Sequence, residues 1–213
     1  MNSTPSQEDA LEVEPTGRPG AVNAPPPPSG RDWVRWALLF YGALAAVALA
    51  WNAWAGTPWA FASRGQQAEG VRWGPELALG LVSGAAVIAL SEIFTRTSAR
   101  GRALAAELGS LLGPLGLGHC LLLAALSGFA EEVFFRGLLQ PRLGWLGATL
   151  LFGLAHLPPS RALWSWSVFA LLAGGLLGAL FAHTGNLVAP VAAHAAINAV
   201  NLRLLSRRYG RAR

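Results

Sequence analysis

The chain has 213 residues, 53% hydrophobic and only 13% charged, with a mean hydropathy of +0.41. Soluble domains carry about 25% charged residues, so this is the composition of a membrane protein. All sixteen basic residues are Arg against eleven acidic ones. They flank apolar runs and gather at the C-terminus, which favours interfacial anchoring and argues against a nucleic-acid partner. The single cysteine, Cys120, excludes an internal disulfide or a multi-cysteine metal site and reads as a small buried hydrophobe.

Residues 1–30 are polar and Pro-rich, ending in Pro25–Pro28. They lack the apolar surface to order themselves and predict a disordered tail. The tail is acidic at first and long, so no cleaved signal peptide is expected. Trp33–Trp54 is the first apolar run, framed by Arg31, Arg35 and tryptophans, and about twenty residues suffice to cross a ~30 Å core. Residues 55–75 are a Gly- and Pro-punctuated loop, and a second span runs from Glu76 to Phe94. Between 95 and 113, Arg96, Arg100 and Arg102 precede an amphipathic stretch with Leu104, Leu108, Leu111 and Leu112, a pattern that predicts a helix lying at the interface. A third span covers Leu115–Leu139, a short fourth Leu143–Leu157, a fifth Trp164–Ala182 and a sixth Leu187–Leu205. The fold class is therefore an all-α polytopic membrane protein of about six transmembrane helices plus an interfacial helix. Its divisions are the tail (1–30), two N-terminal spans with the interfacial helix (31–114), a four-helix core (115–205) and a basic C-terminal tail (206–213). Twelve arginines fall on the side of the termini and four on the other, which places both termini in the cytoplasm.

Within the third span lies GFAEEVFFRG, residues 128–137, with three charges in an apolar run. A charge at bilayer depth costs at least about 2.5–3.5 kcal/mol, so such groups are seldom kept without a role. Glu132 and Arg136 are four residues apart on one helix face and read as a neutralising pair, while Glu131 lies about 100° round the helix and is left free. Phe152–His156 reads FGLAH, and His194–Asn198 reads HAAIN, with His194 and Asn198 on a common face. Counted from a turn near Leu143, Glu131 and His156 lie level, roughly 18 Å in, and His194 falls in the same broad layer. His119, at the start of a span, and His183, in a turn, carry no such placement.

A carboxylate and an imidazole sharing a water can activate it as a nucleophile, and a His–Asn pair can donate to a developing oxyanion. That chemistry hydrolyses a peptide bond without a Ser or Cys nucleophile. HExxH and GxSxG patterns are absent from the sequence. Glu131, His156 and His194 could alternatively hold zinc, since two-His-one-Glu sites bind catalytic zinc. The missing further polar ligands favour a site without cofactor. Two other classes stay open: a proton-linked transporter, and a non-enzymatic immunity or scaffold protein using the polar cluster to hold helices together.

EEVFFRG, FGLAH and HAAIN together resemble the EExxxR, FxxxH and HxxxN blocks of the CPBP membrane proteases. These are the CAAX prenyl endopeptidases and bacteriocin-processing or immunity (Abi) proteins. The resemblance covers residues 115–205, the core. It implies an intramembrane endopeptidase in which Glu131 and His156 activate water and His194 and Asn198 form the oxyanion hole. Glu132, Arg136 and Phe152 would be the accompanying motif residues. It implies a glutamic-type mechanism in preference to a zinc one, a membrane-associated protein or peptide as substrate, and the bilayer as surroundings. The Lys-free, Ala/Gly/Arg-rich composition points to a bacterial inner membrane, where a sorting protease of the myxosortase type is one form of such an enzyme. No residue pattern sets the oligomeric state.

Overall fold

Ser29 opens the first helix of the computed structural model, which describes residues 28–57, 61–62, 70–158 and 163–210. Its side chain accepts from the Asp32 amide while the Asp32 carboxylate accepts from Ser29, a reciprocal capping box that fixes the start of α1, Gly30–Trp54. The expected disordered tail lies almost wholly outside the described residues. α2 spans Trp73–Thr97 and α3 spans Ala99–Leu112, the latter capped by Ser98. α4 runs Leu117–Glu132 and passes without a break into a π-helical segment, Val133–Leu139, then α5, Gln140–Ala155. α6 covers Trp164–Thr184 and α7 covers Val188–Tyr209. Among the described residues the chain is all-α.

Among the described residues five helical stretches are long and apolar enough to cross a membrane: α1, α2, the run Leu117–Ala155, α6 and α7. The third run holds 39 residues, yet it is not one rod. Gly144 sits at φ 73°, ψ 171°, a conformation open essentially to glycine alone, and reverses the chain there. Trp145 and Gln140 both meet Gly178, while Phe152 and Arg136 both meet Gly174, so the legs on either side of the kink are antiparallel. The leg after Gly144 is about 16 Å long at 1.5 Å per residue. The fourth span expected at Leu143–Leu157 is thus corrected to a leg of about half the length that crosses a ~30 Å core.

The faces of the bundle follow from its polar contacts. Trp33 Nε1 donates to Leu112 O, Ser206 bonds Gly113 and Leu115, and Arg208 pairs with Glu92. The start of α1, the end of α2, α3 and the end of α7 therefore share one face. Arg142 with Thr57, and Asn186 with Glu76, mark the other. The C-terminal segment expected as a tail from residue 206 is instead helical to Tyr209, with Ser206 buried. α3 buries Gly101, Ala105 and Gly109 in place of its leucines, because close approach to α2 and α7 leaves no room for a side chain at Gly101 and Gly109. Large apolar side chains such as Leu39, Val82 and Leu172 stay on the outside, as lipid contact permits and water would not.

Candidate active site

Glu131 and Glu132 end α4, immediately before the backbone loosens into the π-helical segment. Such segments are rare and concentrate at functional sites. Their unusual backbone is secured by side chains from neighbouring helices: Asn52 Nδ2 of α1 donates to Gly137 O, and Arg142 donates to Leu138 O. Gly128, one turn before Glu131, lies against Ala195, where an added Cβ would come within 2.9 Å of the Ala195 backbone nitrogen. This close crossing of α4 on α7 brings the two carboxylates beside His194.

Arg136 is buried to 1% exposure and Glu132 to 0%. The guanidinium donates from Nη1 to Glu132 Oε1 at 2.9 Å and from Nη2 to the Gly174 carbonyl at 2.8 Å. It also lies over the Phe152 ring, 4.6 Å from its centroid. Glu132 has a second partner that helix-face reasoning did not foresee: His194 Nδ1, 2.7 Å from the same Oε1. Glu132 is therefore more than a counter-charge, since it fixes the plane of the His194 ring and turns Nε2 toward the cavity. Nothing in the local sequence could have paired residues 62 positions apart on different helices.

His156 ends α5, and its Nδ1 lies 2.7 Å from Phe152 O. A carbonyl only accepts, so Nδ1 carries the proton in this bond and the ring turns its Nε2 to the cavity. That Nε2 is 3.7 Å from Glu131 Oε2, and His194 Nε2 is 4.0 Å from the same oxygen. Phe152 stacks on His156 with centroids 4.5 Å apart, and it stands edge-on to His194 at 6.1 Å. One aromatic ring thus braces both imidazoles and the arginine. Asn198 donates to Ser127 Oγ at 2.9 Å, leaving its second amide hydrogen for the cavity.

The structure brings Glu131, His156, His194 and Asn198 together around one cavity of about 390 Å³, lined also by Tyr41, Ser127 and Trp166. A larger apolar groove of about 610 Å³ shares Trp166, Phe169, Ala173, Asn201 and Leu205 with it and opens between α2, α3, α6 and α7. His119 packs over Gly30, and His183 sits in the last turn of α6; neither lines the cavity. Tyr41 and Ser127 were not foreseen: a lone Tyr in a first span and a Ser in an apolar helix carry no spacing signal.

Ligand atoms of a tetrahedral zinc site with ~2.0 Å bonds lie about 3.3 Å apart. The separations from Glu131 Oε2 are 3.7 and 4.0 Å. Glu131 Oε2 faces both imidazoles and is buried without a hydrogen-bond partner. A buried carboxylate oxygen of that kind calls for a proton donor beside it, a role that a water in the gap can fill.

Residues 113–200 match the family model of the type II CAAX prenyl endopeptidases, described as Rce1-like. Over 84 residues the chain is 40% identical to the uncharacterized protein YpbD of Bacillus subtilis (strain 168). That match spans 38% of this chain and 43% of the relative, less than half of its length. No solved structure matches. The family match begins just before α4 and ends within α7, so it contains Glu131, Glu132, Arg136, Phe152, His156, His194 and Asn198, and leaves α1 to α3 outside.

Proposed function

We propose that this multi-pass membrane protein is an intramembrane endopeptidase in which Glu131 and His156 activate water. The observation that carries the reading is the 3.7 Å gap between the unpartnered Glu131 Oε2 and the His156 Nε2, bordering the cavity. A water held there gives one proton to Glu131 as its oxygen attacks the scissile carbonyl carbon. The C=O bond becomes C–O⁻, and the oxyanion takes hydrogen bonds from the free Asn198 amide hydrogen and from His194 Nε2. For Nε2 to donate, the Glu132–His194 pair must hold two protons, one between Nδ1 and Oε1 and one on Nε2. With both present, Glu131, Glu132, Arg136 and His194 sum to zero charge, the arrangement a low-dielectric interior favours. Collapse of the intermediate breaks the C–N bond, and the departing amine leaves with the proton from Glu131.

The similarity to CAAX-type endopeptidases supports this reading, and the half-length leg that ends at His156 supports a scissile bond reached from within the membrane. The substrate would be a membrane-associated protein or peptide cut near its membrane-embedded C-terminal end, as a bacterial sorting protease of the myxosortase type requires. The enzyme would lie in the bacterial inner membrane with both termini cytoplasmic, and would need no cofactor. The test uses protein in liposomes with a quenched-fluorescent peptide carrying an apolar C-terminal anchor. Cleavage by wild type, retained after chelation and verified metal removal and lost in Glu131→Gln and His156→Ala, is the expected result. Equal cleavage by all three proteins refutes the assignment, and loss on chelation with rescue by zinc replaces the glutamic mechanism with a metal one.

A further inference from the structure

α1 lies outside the residues similar to the CAAX-type endopeptidases, yet it forms a wall of the cavity. Tyr41 is the polar side chain that α1 brings there, beside Ser127, Glu131 and Asn198. Its ring is wedged against the apolar cluster of Ala37, Leu115, Cys120 and Leu123, with Phe40 edge-on at 5.1 Å. Tyr41 shares that cavity wall with Glu131 and Ser127, residues one turn apart on α4. Resting on the protease reading above, we propose that Tyr41 is a positioning residue whose hydroxyl donates to the Glu131 carboxylate and links it through Ser127 to Asn198.

The donors and acceptors can be followed atom by atom. Asn198 Nδ2 donates to Ser127 Oγ at 2.9 Å. The Ser127 hydroxyl contacts Ala124 O at 3.3 Å, the long end of the hydrogen-bond range, so its proton is free to rotate toward the Tyr41 oxygen. Tyr41 O–H then has one acceptor in view, the Glu131 carboxylate that shares its cavity wall. A free phenol keeps its proton up to about pH 10, so toward a carboxylate it can only donate, and such charge-assisted bonds are stronger than neutral ones. The chain Asn198–Ser127–Tyr41–Glu131 therefore couples the water-activating side of the site to its oxyanion side. It also gives α1 a reason to be held at both ends of the site, by Tyr41 here and by Asn52 on the π-helical segment.

Tyr41→Phe removes the hydroxyl and keeps the ring that packs. In the liposome assay kcat is expected to fall roughly 10–100-fold, the range for losing one hydrogen bond to a charged group, with KM unchanged. A readout independent of turnover is the infrared carboxylate band of Glu131, isolated by subtracting the Glu131→Gln spectrum. It shifts in Tyr41→Phe and stays in place in Ser127→Ala, whose kcat nonetheless drops through Asn198. A Tyr41→Phe protein with the wild-type band, or with wild-type kcat in an assay that Glu131→Gln abolishes, overturns the proposal. If wild type and Glu131→Gln prove equally inactive, the protease reading has failed. The Tyr41–Glu131 bond is then judged on the band alone, which supports it by shifting and refutes it by not shifting.

Discussion

The buried ion pair yields the sharpest stability prediction, because it separates two roles of Glu132. Glu132 and Arg136 are 0% and 1% exposed, and their side chains meet at 2.9 Å. Removing one partner leaves an uncompensated buried charge, at a cost of about 3–5 kcal/mol, whereas replacing both is often close to neutral. Glu132→Gln and Arg136→Met are each expected to destabilise by that amount. Their effects taken as independent would sum to about 6–10 kcal/mol. The double variant is expected to lose less than about 3 kcal/mol, a coupling of at least about 3 kcal/mol. Reversible unfolding in mixed micelles, with helicity and tryptophan emission as probes, measures all four proteins. The recovered double variant is nevertheless expected to be inactive, because His194 Nδ1 has lost its carboxylate partner at 2.7 Å. Additive losses in the double variant, or singles within about 1 kcal/mol of wild type, would refute the reasoning.

Three further outcomes follow from single contacts. Gly128→Ala places a methyl 2.9 Å from the Ala195 nitrogen, forcing α4 and α7 apart; activity should drop by up to about 100-fold while stability falls by about 1–3 kcal/mol, read from kinetics and unfolding on the same sample. Gly144→Ala meets no neighbouring atom but imposes a side chain at φ 73°, ψ 171°, so it should cost about 1–3 kcal/mol through the backbone alone, and a D-Ala placed there by semisynthesis should recover most of that loss. Asn198→Ala removes an oxyanion donor and should lower kcat roughly 10²–10³-fold with little change in KM, checked by steady-state kinetics in liposomes.

The architecture was legible where it depends on local chemistry. Apolar runs located α1, α2, α4, α6 and α7 within a few residues, because a span of lipid-facing side chains needs no partner to be recognised. Counting from a turn near Leu143 put Glu131 and His156 at one depth, and they stand 3.7 Å apart. Spacing alone paired Glu132 with Arg136. The contributions that escaped are those made across helices. The bond from His194 to Glu132, the meeting of Tyr41 and Glu131 in one cavity wall and the Ser127–Asn198 link join residues distant in the chain, with no periodicity to announce them. The leucines of α3 misled for a related reason. In the membrane an apolar side chain can remain outside, so the stripe that packs is the one with the least side chain, Gly101, Ala105 and Gly109.

The central claim is that Glu131 performs hydrolysis and does not merely brace the bundle. The most direct measurement compares the C-terminal peptides of membrane proteins, by quantitative mass spectrometry, in cells carrying the wild-type chain or Glu131→Gln at equal abundance. At least one protein is expected whose truncated C-terminus accumulates only with the wild-type chain, its intact form replacing it in the variant. Identical C-termini in the two strains, together with unchanged cleavage of the anchored peptide by purified Glu131→Gln, would contradict it.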